Sequence, residues 1–292
     1  MLRELRADDA EAVAELITVA NAHRNIDADE VRSWLSHADV DPANCRVLEH
    51  AGAIAGYVDL VARGDRAVLD ASGPGREDAL LDWAEARARE QGATTTRLQV
   101  WEGQDELVHV LERRGYAPVR SSFEMLIELG AEPPPAPAWP SGIDVRSYRH
   151  PEDERVTYET QEESFRDAWD HEPVTLEAWR DYQLGGRGFD PSLWFLAWDG
   201  DDVAGICLSF PMARRAADPG LAWISILGVR RPWRRRGVGE ALLRHAFREL
   251  HARGVRRVGL DVDAESPTGA TRLYERVGMR IAVRSDTWEK TL

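Results

Sequence analysis

The sequence predicts a mixed α/β protein made of two tandem copies of one domain, each a central mixed, largely antiparallel sheet flanked by helices. Three observations carry this. The chain has 292 residues, room for about two domains that each bury a core. Between them, Ala131–Gly142 (AEPPPAPAWPSG) places five prolines in twelve residues, which resist helix and ladder alike and make a stiff, extended tether. On both sides of the tether the elements follow one order: strand, two helices, three strands, helix, strand, helix, strand.

Before the tether the pattern predicts a strand over Leu2–Leu5 and helices over Asp8–Ala22 and Ala28–Ser36. Strands near 45–49, 53–62 and 66–71 come next, then a helix over Glu77–Gln91 and a strand over Thr95–Trp101. A helix over Gln104–Arg114 and a closing strand near Phe123–Leu129 complete residues 1–130. The helices show apolar spacings of three and four, and the strands are short β-branched or alternating runs. In residues 143–292 the same order reads as a strand at 143–148, helices near 151–168 and 174–183, and strands at 193–198, 202–210 and 221–229. A helix over Gly239–Arg253, a strand over Val255–Val262, a helix over Gly269–Arg276 and a last strand from Met279 follow. Residues repeat as well, at an offset of about 162. Gly92, Leu98 and Val100 match Gly254, Leu260 and Val262, and VLERRG at 110–115 matches LYERVG at 273–278.

Apolar residues make up 43% and charged residues 30% of the chain, proportions of a folded protein and not of a disordered one. No apolar run approaches the roughly 20 residues of a membrane helix, and the charged amino terminus lacks a signal-peptide core. The expected location is cytoplasmic, with no membrane partner. Cys45 and Cys207 stand in different halves and suit buried apolar filler, and the eight His fall in no metal-ligand spacing, so no metal is expected. The net charge of −14 is uneven: residues 1–130 carry 25 acids and 14 bases, the remainder 26 and 23. Such an acidic surface argues against nucleic acid and favours a cationic partner such as an amine.

The strand Trp223-Ile-Ser-Ile-Leu-Gly-Val229 feeds the turn Arg-Arg-Pro-Trp-Arg-Arg-Arg-Gly-Val-Gly239, which opens an amphipathic helix. Helix N-termini bind anions through unpaired N–H groups and the helix dipole. Gly237 and Gly239 let the backbone approach a phosphate. Arg230, Arg231, Arg234, Arg235 and Arg236 place five guanidinium groups within seven residues, which suits a ligand with several phosphates. A P-loop would need Gly-Lys-Ser/Thr, and a dinucleotide fingerprint a small residue where Leu242 stands and its first Gly close to the strand. Neither fits.

Arg234-x-x-Gly237-x-Gly239 after an apolar strand, with Leu-Tyr-Glu-Arg-Val-Gly-Met at 273–279 downstream, resembles the GCN5-related N-acetyltransferase superfamily. The two-copy layout is similar to its tandem, mycothiol-synthase-like members. The resemblance implies acetyl-coenzyme A as acyl donor. Arg234, Gly237 and Gly239 fall on the signature, so the amides of Arg235, Arg236, Gly237, Val238, Gly239 and Glu240 would bind the pyrophosphate. Leu227, Gly228 and Val229 would line the pantetheine arm in a gap between splayed strands, and a nearby N–H would polarise the thioester carbonyl. Ser266 stands where the family often has Asn. Tyr274 falls on the tyrosine that protonates the departing thiolate.

The general base is less legible. Tandem relatives use a glutamate on the strand entering the turn; here that place holds Trp223, which argues against their own activity. Glu163, Asp167, Asp170 and His171, in the helices expected to cover the acceptor side, are the candidates for this task, and Trp169 and Trp223 could wall the acceptor pocket. In residues 1–130 the matching turn reads Ala-Ser-Gly-Pro-Gly-Arg-Glu-Asp at 71–78. Ser72 replaces the signature Arg, Glu77 the second Gly, and Leu111 stands in place of Tyr274. That half is therefore expected to be a degenerate copy without catalysis. The expected activity is transfer of acetyl to the primary amine of a small molecule, the alternatives being a protein acetyltransferase or a non-catalytic acyl-coenzyme A sensor.

Overall fold

The computed structural model describes residues 1–21, 26–35, 40–185, 189–211 and 220–292. The first half runs β1 (Leu2–Glu4), α1 (Ala10–Ala20), α2 (Ala28–Leu35), β2 (Cys45–His50), β3 (Ala53–Arg63), β4 (Arg66–Ser72), α3 (Glu77–Glu90), β5 (Thr95–Trp101), α4 (Asp105–Arg113) and β6 (Ala117–Glu128). The second runs β7 (Ile143–Ser147), α5 (Glu154–Phe165), α6 (Leu176–Leu184), β8 (Trp194–Asp199), β9 (Asp202–Pro211), β10 (Leu221–Val229), α7 (Val238–Ala252), β11 (Arg257–Asp263), α8 (Ala270–Arg276) and β12 (Arg280–Thr291). Ala22 and Ser36, where two helices were expected to end, lie outside the described residues. β6 begins at Ala117 rather than near Phe123, because Pro118 sits at the strand's start, where its missing N–H interrupts no interior ladder.

Two compact units result, and they do not coincide with the contiguous stretches 1–130 and 143–292. The first unit combines residues 1–122 with 283–292, and the second takes 123–282 among the described residues. Each half thus gives up its last strand.

In the first unit the strand order is β1-β2-β3-β4-β5-β12. Neighbours are antiparallel except β4 and β5, which are parallel. Helix α3 buries Leu80, Leu81, Ala84 and Ala88 against Leu98, Val100 and Trp288, while α1 packs Val13, Ala14 and Ile17 against Val47 and Tyr57. Ion pairs fix β12 there. Lys290 Nζ donates to Glu85 at 2.7 Å, Glu85 also accepts from Arg114 at 3.1 Å, and Arg97 pairs with Glu289 at 2.5 Å. Glu85 is only 4% exposed, so a charge that would be costly alone is matched by Lys290 and Arg114, with Arg89 further off at 3.9 Å.

The second unit repeats the plan as β7-β8-β9-β10-β11-β6. Strands β7 to β10 are antiparallel in series and β10 lies parallel to β11. One face is covered by α5 and α6 through Trp179, Trp194, Leu196, Ile206 and Leu208. On the other, α7 packs Leu242, Leu243 and Phe247 against Cys207, Ala222, Ile224 and Val258. Fully buried side chains such as Phe247 cost about 3–5 kcal/mol when cut to alanine, so this helix, and the turn before it, has a fixed seat. Among the described residues no helix is long and apolar enough to cross a membrane.

Candidate active site

The second unit's sheet is split at its centre. β10 and β11 pair only at Leu221–Arg257, Ala222–Val258 and Trp223–Gly259. Beyond Gly259 they part, while β10 stays bound to β9 as far as Val229–Gly205. The β9–β10 register slips between Ile224 and Ile226, leaving Ser225 as a bulge that bends β10 away from β11. Gly205 holds the opposite edge close, since a Cβ there would lie 2.8 Å from the Gly228 carbonyl. Arg230 N–H donates to Ala204 O at 3.0 Å. Counting back by the antiparallel alternation, Gly228 turns its peptide groups to β9, and Leu227 and Val229 turn theirs to the gap.

At the mouth of this fork the chain turns through Arg231–Trp233 and enters α7. Gly237 is the N-cap with φ +91°, and Arg235 also has positive φ, at 58°. A glycine takes that conformation freely, whereas other residues are strained in it. No side chain caps the helix, so the amides of Val238, Gly239 and Glu240 reach outward without an intrahelical acceptor. Gly239 brings α7 down onto the fork: a Cβ would meet Leu273 at 3.3 Å and Val229 at 3.4 Å. Arg235 and Arg236 are exposed beside these amides. The Glu240 carboxylate is drawn aside by Arg244 at 3.0 Å and Arg276 at 3.7 Å.

The five arginines do not act alike. Arg234 Nε donates to Val229 O at 3.0 Å and its Nη2 to Ser164 O at 2.9 Å, so the signature arginine points inward and ties the turn to β10 and α5. Arg230 pairs with Glu163 at 2.6 Å, and Arg231 grips both oxygens of Asp167, one of them at 2.6 Å. The Arg231 guanidinium, with help from Arg234, holds the Asp167 carboxyl below its ordinary range. Glu163 and Asp167, the base candidates, are thus paired with the arginines of the turn. Arg230, Arg231 and Arg234 are committed to protein partners at hydrogen-bond distance, whereas Arg236 has a looser contact to Asp199 at 3.9 Å and Arg235 is exposed. His171 lies 3.4 Å from Glu162, and Trp169 is 38% exposed.

Tyr274, on α8, is 7% exposed and joins the core that contains Cys207 and Leu260. Burial first, and the nearby Cys207 thiol second, push its hydroxyl well above the usual tyrosine range. It therefore holds its proton at neutral pH, as a proton donor must. Ser266 lies in the loop after β11, its hydroxyl 3.0 Å from Thr268 Oγ1.

One carboxylate at the fork escaped notice in the sequence. Trp223 Nε1 donates to Asp261 Oδ2 at 3.1 Å. The alternation Val258, Leu260, Val262 on the core side was its signal: it turns Gly259 and Asp261 to the other face.

The corresponding turn of the first unit is built differently. β4 and β5 also pair only as far as Leu69–Leu98, and Gly75 has φ +70°. Here, however, Gly75 N–H donates to the Glu77 carboxylate at 3.2 Å. A cavity of about 310 Å³ beside it is lined by Glu77, Asp78 and Glu106 with His109 and Arg113.

A split sheet, an uncapped glycine turn under its mouth and a protonated tyrosine at its core edge define an acyltransferase of the N-acetyltransferase type. Residues 155–279 match the Acetyltransferase (GNAT) family. The chain is 34% identical to a GCN5-related N-acetyltransferase from Sphaerobacter thermophilus, whose crystal structure it matches with a TM-score of 0.82 over 100% of this chain and 95% of that one. It is 28% identical over 321 residues to a mycothiol acetyltransferase of Geodermatophilus obscurus, covering 99% of this chain and 98% of that protein. To the mycothiol acetyltransferase of Nocardia farcinica it is 26% identical over 290 residues, covering 94% and 92%. A tandem GNAT protein from the clavulanic acid biosynthesis pathway shares the fold, with a TM-score of 0.77 at 18% identity over 100% of this chain and 98% of that one. The chain belongs to the GCN5-related N-acetyltransferase family as a tandem member, and it is an acyltransferase.

Proposed function

We propose that the second unit transfers an acetyl group from acetyl-coenzyme A to the primary amine of a small molecule, both bound at once. The observation that carries this is the fork between β10 and β11, open on one side to the peptide groups of Leu227 and the N–H of Val229, whose carbonyl is held by Arg234, and ending at the uncapped α7 amides. The gap fits an extended pantetheine arm, and the amides of Val238, Gly239 and Glu240 with Arg235 and Arg236 fit its pyrophosphate. Ser266 is placed as a further polar contact to the donor. The attacking nitrogen bonds to the thioester carbon, the C–S bond breaks, and Tyr274 gives its proton to the leaving thiolate. Full-length relatives named mycothiol acetyltransferase support a small-molecule acceptor. Trp223, standing where tandem enzymes of that type carry a glutamate, supports an acceptor different from theirs.

The first unit keeps the fold but has filled its own anion position with Glu77, so we assign it no donor site. The deciding experiment is thiol release from acetyl-coenzyme A in the presence of an aminosugar, a cysteine ester, an aliphatic diamine and an arylethylamine. Amine-dependent release is expected, and Tyr274→Phe is expected to lower turnover by about 10²–10⁴-fold while leaving donor affinity intact. Donor binding without release by any amine would favour a sensor instead.

A further inference from the structure

Glu163 and Asp167 are held by Arg230 and Arg231 of the turn, so a carboxylate on the fork itself is better placed to take the amine's proton. β11 supplies one. Asp261 is the second residue past Trp223–Gly259, the last pair before the strands part, so it stands at the apex of the fork, on the strand lining its far side. Leu260 and Val262 belong to the same core as Tyr274, and strand alternation turns Asp261 to the opposite face, the one that α5 and α6 cover. Asp261 is nonetheless exposed, and its orientation is fixed by the Trp223 indole at 3.1 Å.

A second carboxylate faces the same place. Leu129 N–H donates to Arg256 O at 2.7 Å, and Leu126 is the β6 side chain that a Cβ on Gly259 would strike, at 2.8 Å. Moving back along β6 while moving forward along β11 makes the pair antiparallel, and two residues further the same register sets Glu124 opposite Asp261. Glu124 is only 4% exposed.

We infer that Asp261, positioned by Trp223, binds the acceptor as its ammonium ion and takes one proton from it, freeing the nitrogen lone pair to attack; the second N–H proton leaves as the tetrahedral adduct collapses and replaces the one that Tyr274 gives to sulfur. This rests on the donor reading above. The planar thioester would lie in the fork between two proton-handling groups on opposite faces: Tyr274 toward the core, giving a proton to sulfur, and Asp261 toward the acceptor, receiving one from nitrogen. Trp223 is then no gap in the catalytic set, since the carboxylate has moved from the strand entering the turn to its neighbour across the fork.

Asp261→Asn is the informative variant, because the amide oxygen still accepts from Trp223 and the fold is spared. With the amines named above as probes, kcat/KM for the amine is expected to fall by about 10²–10⁴-fold, the acetyl-coenzyme A Kd from calorimetry to stay unchanged, and Asp261→Glu to recover part of the loss. Trp223→Phe, which removes only the indole donor, is expected to lower kcat more than it alters donor affinity. Wild-type kcat/KM in Asp261→Asn overturns the assignment, as does a loss of donor affinity in parallel with activity. If the unaltered chain fails to bind acetyl-coenzyme A, the donor reading itself falls. If it binds the donor and no amine reacts, the transfer reading falls in favour of a sensor; the assignment of Asp261 alone fails when the unaltered chain reacts and Asp261→Asn reacts equally well.

Discussion

Replacing Arg234 with alanine separates a structural role for the signature arginine from a direct role in holding phosphate. Arg234 is about three-quarters buried, its side chain 24% exposed, and it donates to two carbonyls, Val229 O and Ser164 O. Bonds from a charged donor contribute about 1.5–3 kcal/mol each. Both carbonyls can turn to water once the side chain is gone, so a total loss of about 2–4 kcal/mol is expected. At about 2–4 °C per kcal/mol for a unit of this size, the melting temperature without ligand should fall by roughly 5–15 °C. Arg236→Ala removes an exposed side chain whose one salt bridge, to Asp199, is 3.9 Å long, and should shift stability by less than about 0.5 kcal/mol. It should instead weaken acetyl-coenzyme A by about 10–100-fold, the worth of one charge-assisted phosphate contact. Calorimetry with acetyl-coenzyme A and thermal melts without it distinguish the two variants. An Arg234→Ala protein that melts normally and loses as much affinity as Arg236→Ala would refute the inward role.

Stability is expected to decline at alkaline pH. Burial pushes the thiols of Cys45 and Cys207 up to about 12 from an ordinary 9.0 and also raises Tyr57 and Tyr274. The folded chain therefore keeps protons that the unfolded chain gives up; the stabilisation is intact below pH 9 and drains away toward 12. Urea midpoints at neutral pH and near pH 10.5 should show the drop, and Cys207→Ala should make it smaller. Lys290→Ala removes one of the two nearest cations from the buried Glu85, at a cost of about 1–3 kcal/mol, and hydrogen exchange should quicken in β12 and β5 first. Calorimetry should give one acetyl-coenzyme A per chain, and still one in Glu77→Ala; a second tight site in either would overturn the assignment of a silent first unit.

The order of elements, the duplication and the glycine turn before α7 were legible in the sequence because each rests on local signals: alternation, helical spacing, glycine at a positive φ. The strand exchange was not. Residues 123–128 and 283–291 read as closing strands of their own halves, and nothing local distinguishes a strand that stays from one that crosses over, since the pairing partner lies far along the chain. The direction of Arg234 was hidden for a related reason. A basic turn looks the same whether its guanidinium groups face solvent or the carbonyls of α5, and Ser164 lies 70 residues away. The pairing of Glu163 and Asp167 with Arg230 and Arg231 was hidden in the same way, since the partners lie more than 60 residues apart. Asp261 could have been found from the alternation of β11 alone, had Leu-Asp-Val been weighed as a strand face.

On the proposed reading, one local difference between the two units decides which copy holds a ligand. Each has a forked pair of strands followed by a helix, and each helix starts with a field that favours an anion. In α3, Glu77 and Asp78 supply that anion from within, at a gain of about 0.3–1 kcal/mol apiece, and the Gly75 amide is already satisfied. In α7 the place is taken by Gly237, Val238 and Gly239, so the amides stay open and Arg235 and Arg236 add cations that repel one another. Left empty, this terminus is less stable than its counterpart. A bound pyrophosphate would satisfy amides and guanidinium groups together, and ligand at 100 times Kd adds about 2.7 kcal/mol to whatever binds it. Acetyl-coenzyme A should therefore protect α7 and β10 from hydrogen exchange and leave α3 and β4 as they were, because only one helix has kept its charge unanswered.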